Sequence, residues 1–372
     1  MLGVTPMGRK KGSYIFFEEK KKHHASGCLI LLLAVIFAIL ALSILSNTLL
    51  NQRLTLETEK VRVMNLDSGY NNLTILHISD LHGSEIGFET ETWKDLLFGK
   101  GFTAVVMTGD MVGAGGDYAP LITLIKTLHE IKADVPIYFI AGDEDPTAVV
   151  SELHGSPEPL AEWVRAAQAE GAIYLDRAIG QTVGKKTVWF IPEYLYSIGL
   201  TDDAGIKGMV STLERQKEEM EASGRQYEAE GGASYRALCY RLEAYEESAD
   251  AIAAMTEDDL QIGVIHVPLD ADYVRQMTEW ADEDDVFSYR NLSLVLAGHY
   301  CGGQWRLGSL GPVYVPDFGW FPGDEGIVGM MRINNISQYI SGGLAASGVY
   351  PMPMRLFNVP TITLLSYTAK LE

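Results

Sequence analysis

The stretch Leu73-Thr-Ile-Leu-His-Ile-Ser-Asp-Leu-His-Gly83 is an apolar, β-branched run that stops abruptly at an acid and an imidazole. Both are metal-ligand types. Alternate residues of a strand share a face, so the spacing of Asp80 and His82 predicts that they project together from the strand's C-terminal end. In open α/β sheets, sites are built at that end. Four further stretches repeat the arrangement: Ala104-Val-Val-Met-Thr-Gly-Asp110, Ile137-Tyr-Phe-Ile-Ala-Gly-Asp-Glu-Asp145, Gln261-Ile-Gly-Val-Ile-His266 and Leu292-Ser-Leu-Val-Leu-Ala-Gly-His299. A single one of these is ordinarily a core histidine or a turn aspartate. Together they form a specific pattern, because three of the five present the same glycine-then-ligand turn. Carboxylates and imidazoles in this mixture suit Mn²⁺, Fe or Zn²⁺ better than Ca²⁺.

The 372-residue chain has room for a membrane segment and one large domain, and 47% apolar content supports a sizeable core. A net charge of −20 argues against a nucleic-acid polymer or a bare anionic bilayer as partner. The 3 cysteines, Cys28, Cys239 and Cys301, make no disulfide framework. Residues 1–24 form a polar, basic segment with Arg9, Lys10, Lys11, Lys20, Lys21 and Lys22. Residues 25–50 carry no charge, and Cys28–Leu45 is continuously apolar apart from Ser43. About 20 such residues span a bilayer as a helix, and the run exceeds the ~7–15-residue core of a cleaved signal. The basic flank therefore predicts a single-pass signal anchor in the cell membrane, with the N-terminus cytoplasmic and the rest extracytoplasmic.

Residues 51–70 read as a polar stalk before a domain spanning 71–372. Helical spacing at Glu91–Phe98, Ala119–Lys132 and Glu158–Ala169 alternates with strands, including Ala172–Leu175 and Lys186–Ile191, as in layered α/β proteins. Residues 202–259 break this rhythm. Ile206, Met209, Val210 and Leu213 form one helical stripe. After Glu230-Gly-Gly232, a second stripe runs through Tyr235, Leu238, Cys239, Leu242, Tyr245, Ile252 and Met255. The two predict an antiparallel helical insert that covers the sheet, closes over the site or holds a partner. Cys239 on the apolar stripe is expected to be a buried free thiol. β-like runs at Met330–Ile333, Gln338–Ile340 and Thr361–Tyr367 predict a second sheet packed on the first.

The order Asp80/His82, Gly109-Asp110, Gly142-Asp143, His266, Gly298-His299 resembles that of the calcineurin-like metallophosphoesterases. Their pattern is Asp-x-His, Gly-Asp, Gly-Asn-His, a lone His and Gly-His-x-His. The likeness runs from about Leu73 to Leu365. It is closest to the membrane-tethered bacterial phosphodiesterase branch, in which the last motif continues as Gly-Gly-Gln, here Gly302-Gly303-Gln304. The tail from Ser341 to Leu364 is also similar to that branch. The resemblance implies an α/β, four-layer αββα sandwich, here with a helical insert and an N-terminal transmembrane helix. It implies one metal on Asp80 and His82, Asp110 bridging, and a second metal on Asp143, His266 and His299. The cofactors would be two divalent metal ions, Mn, Fe or Zn. The substrate would be a phosphoester, lipid- or nucleotide-linked among the candidates. The reaction would be hydrolysis of a phosphodiester or pyrophosphate by a metal-bound hydroxide.

Three positions depart from the pattern. Asp143 replaces the asparagine. Cys301 replaces the final histidine as a candidate ligand, and a thiolate suits Zn²⁺ or Fe rather than Mn²⁺ or Mg²⁺. Glu144 stands where the family has the catalytic histidine that protonates or positions the leaving group. A carboxylate beside two cations is a weak acid, so leaving groups needing little protonation are expected, such as a nucleotide-linked pyrophosphate or an aryl ester. The same departures support an alternative, a catalytically degenerate relative that binds or regulates. Trp305, Phe318, Trp320 and Phe321 follow the ligands closely and either wall a lipid-linked substrate or pack under a long loop.

Overall fold

Runs of apolar residues too short for helices, bounded by glycine or polar turns, form the strands of two six-stranded sheets. The computed structural model describes residue 3 and residues 24–63, 66–85, 89–150, 158–201, 205–281 and 284–368. Most of the basic N-terminal segment lies outside these. The chain divides into two units, Met1–Ser46 and Asn47–Glu372.

Helix α1 (His24–Asn51) begins in the first unit. Its residues Cys28–Asn51 have a mean hydropathy of 3.3. Their length and composition fit a membrane anchor or a signal sequence.

In the second unit the chain runs β1 (Thr55–Arg62), β2 (Thr74–Ile78), α2 (Thr90–Leu97), β3 (Ala104–Thr108), α3 (Ala119–Ile131), β4 (Ile137–Ile140), α4 (Glu162–Ala169) and β5 (Ala172–Tyr174). It continues through β6 (Ile179–Val183), β7 (Lys186–Pro192), α5 (Glu193–Thr201), α6 (Gly205–Ser223), α7 (Ala229–Ala254), β8 (Leu260–Val264), α8 (Ala271–Trp280) and β9 (Leu292–Ala297). It closes with β10 (Tyr314–Val315), β11 (Gly319–Trp320), β12 (Gly329–Ile333), β13 (Ile336–Ile340) and β14 (Thr361–Thr368). One sheet has the order β1-β14-β2-β3-β4-β5, the other β12-β13-β9-β8-β7-β6.

Strand periodicity builds the layers. Ile75, Val106 and Tyr138 of the first sheet meet Phe190, Ile262 and Leu294 of the second in one buried layer. Leu76, Val105, Met107 and Phe139 point the other way, onto Trp93 and Leu97 of α2, Leu121, Leu124 and Leu128 of α3, and Trp163 of α4. Leu195 of α5 and Val274 and Met277 of α8 cover Ile191 and Val295 on the far face of the second sheet. Each buried aliphatic or aromatic side chain contributes about 1.5–3 kcal/mol, so these three layers hold the sandwich together. The result is the four-layer αββα arrangement.

Several local expectations differ from what the chain does. Residues 55–62 are not stalk: β1 pairs in parallel with β14, from Thr55 opposite Thr361 to Arg62 opposite Thr368. Of the C-terminal strands only the short β10–β11 hairpin stands apart among the described residues; the runs expected to form a second sheet join the two large ones. β12 and β13 extend the second sheet, while β14 enters the first. The helical region starts earlier than 202, with α5 at Glu193, and residues 202–204 lie outside those described. Its turn falls at Gly224, where φ is +71°, rather than at Gly231-Gly232, which lie inside α7. A Cβ on Gly231 would stand 2.1 Å from the Arg225 carbonyl oxygen, so that glycine permits a close approach within a helix. Helix α4 starts only at Glu162, because Leu160 pairs in a β-bridge with Val149. Cys239 is free and half-buried.

Candidate metal centre

The candidate ligands follow directly on the ends of β2, β3, β4, β8 and β9. These strands run parallel within their sheets, so their C-terminal ends reach one edge of the sandwich. The convergence of Asp80 and His82 does not come from strand alternation, since β2 stops at Ile78. Left-handed turns bring the groups together instead. Asp80 (φ 54°), His82 (φ 48°), Asp110 (φ 53°), His299 (φ 77°) and Cys301 (φ 49°) all adopt positive φ. Such conformations cost on the order of 1–3 kcal/mol each and persist only where surroundings impose them. Here the backbone does: Asp80 N donates to Gly109 O (3.2 Å), His82 N to Asp110 O (2.8 Å) and Gly298 N to His266 O (2.9 Å).

Ligand atoms lie within 4.8 Å of one another in four overlapping groups. These are Asp80/His82/Cys301, Asp143/His266/His299, Asp80/Asp110/His266 and His82/Asp110/Glu144. Asp110 is at the centre, its Oδ2 3.2 Å from His266 Nε2 and 3.9 Å from His82 Nε2. Asp143 Oδ1 is 2.8 Å from His266 Nε2 and 3.3 Å from His299 Nδ1. Cys301 Sγ is 3.6 Å from His82 Nε2. All seven residues singled out as ligands from the sequence therefore come together.

The arrangement calls for positive charge. His266 Nδ1 is 2.8 Å from the Thr108 carbonyl oxygen, which only accepts, so Nδ1 carries a proton. Nε2 then faces two carboxylates, and a neutral ring would aim its lone pair at them. A proton or a metal ion must lie between. Burial disfavours charge on His266, yet the carboxylates of Asp110 and Asp143 outweigh it and push the metal-free imidazolium up to about 11. Burial likewise opposes charge on His299, and Asp143 raises it. Hydrogen bonds from His266 and His299 hold Asp143 well below the usual carboxylate range. Burial raises Asp80, with His266 and His82 opposing. Asp110 Oδ2 is buried and, its ion-pair contacts with His266 and His82 apart, makes no hydrogen bond, so a cation would satisfy it. Burial and the Asp80 charge keep Cys301 a thiol in the metal-free protein, while a bound cation ionises a coordinating thiol. The residues present thus fit bound metal.

Supporting contacts include residues to which the sequence pattern assigned no role. Asp145 accepts from four backbone N–H groups: Val112 (2.7 Å) and Gly113 (2.8 Å) on Oδ1, Gly142 (2.9 Å) and Met111 (3.2 Å) on Oδ2. It locks the Asp110 loop to the Asp143 loop. Its signal in the sequence is an acid directly after the ligand pair and before Pro146. The glycine-then-ligand turn is a packing device: a Cβ on Gly142 would sit 2.2 Å from Asp110 Oδ1 and one on Gly298 1.8 Å from Ser79 Oγ. Gln304 accepts from Ser347 N and donates to Met352 O (both 2.9 Å), and Asn358 Nδ2 donates to Cys301 O (2.8 Å), which fixes Cys301 and the Gly302-Gly303-Gln304 turn that follows it.

Glu144 is tied down rather than free. Its Oε1 accepts from Ser347 Oγ and its Oε2 from Gly348 N (3.2 Å), with Oε2 3.9 Å from His82 Nδ1. With Asp143, His299, Tyr300 and Asp317 it lines a cleft of about 310 Å³ beside the cluster. Of the four aromatic residues read as either walling the site or packing under a long loop, Trp305 is buried, while Phe318, Trp320 and Phe321 are exposed.

The family model for calcineurin-like phosphoesterases matches residues 73–302, more than half of the chain, and the chain belongs to that family. It is a family of metal-dependent phosphoesterases, in keeping with the ligand groups just described. No curated protein matches the sequence. Among solved structures the chain is similar to the phosphopantetheinyl hydrolase of Mycobacterium tuberculosis, at 13% identity and a TM-score of 0.34 over 74% of this chain and 91% of that one. It is also similar to a protein of Thermus thermophilus, at 12% identity and a TM-score of 0.35 over 73% of this chain and 90% of that one.

Proposed function

We propose that the chain is a membrane-anchored phosphoesterase with a dinuclear metal site that hydrolyses phosphodiesters or pyrophosphates. The observation that carries this reading is the central place of Asp110, whose carboxylate reaches toward ligand groups on both sides. Asp80, His82 and Cys301 would hold one ion and Asp143, His266 and His299 the other, with Asp110 between them. The thiolate favours Zn²⁺ or Fe on its side. Bound ions would clamp a phosphoryl group and supply a nucleophile from water near neutral pH.

The chain's own residues set the rest. The His266 ring is held by Thr108 in the tautomer that leaves Nε2 for a metal. His299 and Asp143 stand where the cluster meets the cleft. Glu144 accepts hydrogen bonds from Ser347 and Gly348, which makes it an acceptor rather than a proton donor toward a leaving group. Substrates whose leaving groups need little protonation therefore suit the site, including nucleotide-linked pyrophosphates and aryl diesters. The apolar helix would serve as signal anchor, with the basic N-terminus cytoplasmic and the domain outside.

The test is metal analysis of the purified chain together with hydrolysis of an activated aryl phosphodiester, with Asp110→Asn as control. Two metal equivalents and turnover that depends on Asp110 support the enzyme. A metal-loaded protein without turnover supports the binding or regulatory reading, which the tethering of Glu144 favours.

A further inference from the structure

The loop after Cys301 and the segment before β14 are zipped into one surface. Arg306 N donates to Leu356 O (2.9 Å) and Leu356 N to Gln304 O (3.0 Å). Trp305 Nε1 donates to Met354 O (3.0 Å). The inner side of this surface is packed, with Trp305 and Tyr350 buried against each other at a ring separation of 6.1 Å. The outer side is apolar and bare. Trp320 is 68% exposed and Phe321 59%, on the β10–β11 hairpin; Tyr314 packs on both Trp320 (5.1 Å) and Trp305 (6.5 Å), which ties the hairpin to the segment of Met352 (49% exposed) and Met354 (45%). Large apolar side chains gathered on one surface mark an interaction site.

Two observations select the partner. First, the chain enters the second unit against this very segment: Asn47 Nδ2 and Asn51 Nδ2 both donate to Arg355 O (2.9 and 2.8 Å), and Phe357 N donates to Asn47 Oδ1 (2.6 Å). Residues 47–51 are the last of the apolar span Cys28–Asn51, so a bilayer that holds the span has its interface at this point of the chain. Second, the chemistry suits an uncharged interface. Tryptophan and its aromatic neighbours favour the headgroup level, and Arg306, the cation of the hairpin's base, is already paired with Asp324 at 2.5 Å. With a net charge of −20, an anionic surface is disfavoured.

We propose that the Trp320–Phe321 hairpin and the Met352–Met354 segment seat together in the headgroup region of a zwitterionic bilayer, so that the cleft takes phosphoesters presented at the membrane surface. The inference rests on the anchored reading of α1. Its link to the cleft is Tyr300, a cleft residue whose ring packs edge-on against Phe318 at 5.3 Å.

The molecule supplies its own control. Trp280 and Trp320 are equally exposed, at 67% and 68%, and α1 contains no tryptophan. The full chain is reconstituted in phosphatidylcholine nanodiscs, with and without bromine on the acyl chains. Brominated lipid is expected to quench tryptophan emission, with most of the quenched component lost in Trp320→Phe and kept in Trp280→Phe. Both positions are at the surface, so far-ultraviolet circular dichroism should be unchanged. Equal quenching in wild type and Trp320→Phe would overturn the proposal. So would a Trp320 signal that responds to protein concentration and not to bromine, which would make the surface a contact between two copies. The readout needs no turnover. An inactive protein with Trp320 in the bilayer would therefore sink the hydrolase reading and leave this one standing.

Discussion

Cys301 Sγ lies 3.6 Å from Nε2 of His82, in the same ligand group as Asp80. Only this side of the cluster has sulfur; the other has Asp143, His266 and His299. The two sides should therefore differ in metal preference. Cobalt(II)-loaded protein is expected to show the strong near-ultraviolet absorption of a thiolate–cobalt bond, lost in Cys301→Ser. Zinc affinity of that variant should fall by more than the ~10–100-fold typical of losing an outer-shell partner. An unchanged cobalt spectrum would exclude Cys301 as a ligand.

Gly142 is required for space. An added methyl group would meet Asp110 Oδ1 at 2.2 Å, whereas one on Gly115 meets nothing within 4 Å. Gly142→Ala should cost about 1–3 kcal/mol, read as a lower thermal midpoint, and should weaken metal uptake. Gly115→Ala should do neither. Similar behaviour of the two variants would contradict the close packing of the Asp110 and Asp143 loops.

Asp145 joins those loops through four N–H donors. In Asp145→Asn an amide N–H₂ replaces one accepting oxygen and faces donors it cannot satisfy. Each stranded donor costs about 1–3 kcal/mol, so both stability and metal affinity should drop. The measurement is chemical denaturation with and without metal. A stability loss without loss of metal affinity would assign Asp145 to the scaffold alone.

Metal binding should release protons. His266 would bind metal as the neutral ring, yet holds its proton to about 11 in the metal-free protein. Loading at pH 7–8 must expel that proton, so affinity should fall as pH is lowered. Calorimetry in buffers of different ionisation enthalpy reads the release directly. In the metal-free protein the sign for stability is the opposite. The folded pKa lies above the ordinary 6.5, so His266 stabilises fully below that value and the contribution disappears as pH rises through about 11. Metal affinity independent of pH would refute the assignment.

Glu144→His should restore a proton donor beside the cleft. Turnover of alkyl phosphodiesters is expected to rise by up to about 10²-fold, with aryl diesters little changed. An equal change for both would mean that position 144 does not act on the leaving group.

Much of this architecture could be read in advance because the informative patterns are local. The apolar runs before Asp110, Asp143, His266 and His299 became strands, and the glycine ahead of three of these ligands marks a turn with no room for a side chain. The meeting of Asp80 and His82 was legible, but its cause was not: period-two alternation ends at Ile78, and positive φ does the rest. What escaped depends on distant partners. Nothing near Thr55 announces a pairing with Thr361. Ser347 and Gly348 act on Glu144 across some 200 positions, through contacts that leave no periodicity. Gly231-Gly232 resembled a helix break because the pair of glycines is visible, whereas the close approach of Arg225 O that Gly231 allows is not.

The place of β14, between β1 on one side and β2 on the other, bears on how the domain is made. During synthesis β1 and β2 emerge first, and the strand that joins them arrives some 300 residues later. Until then a nascent chain carries two open strand borders ready to pair with other molecules, the situation in which quality control and holding chaperones matter most. Translation that halts before Thr361 should therefore yield insoluble product rather than a smaller folded domain.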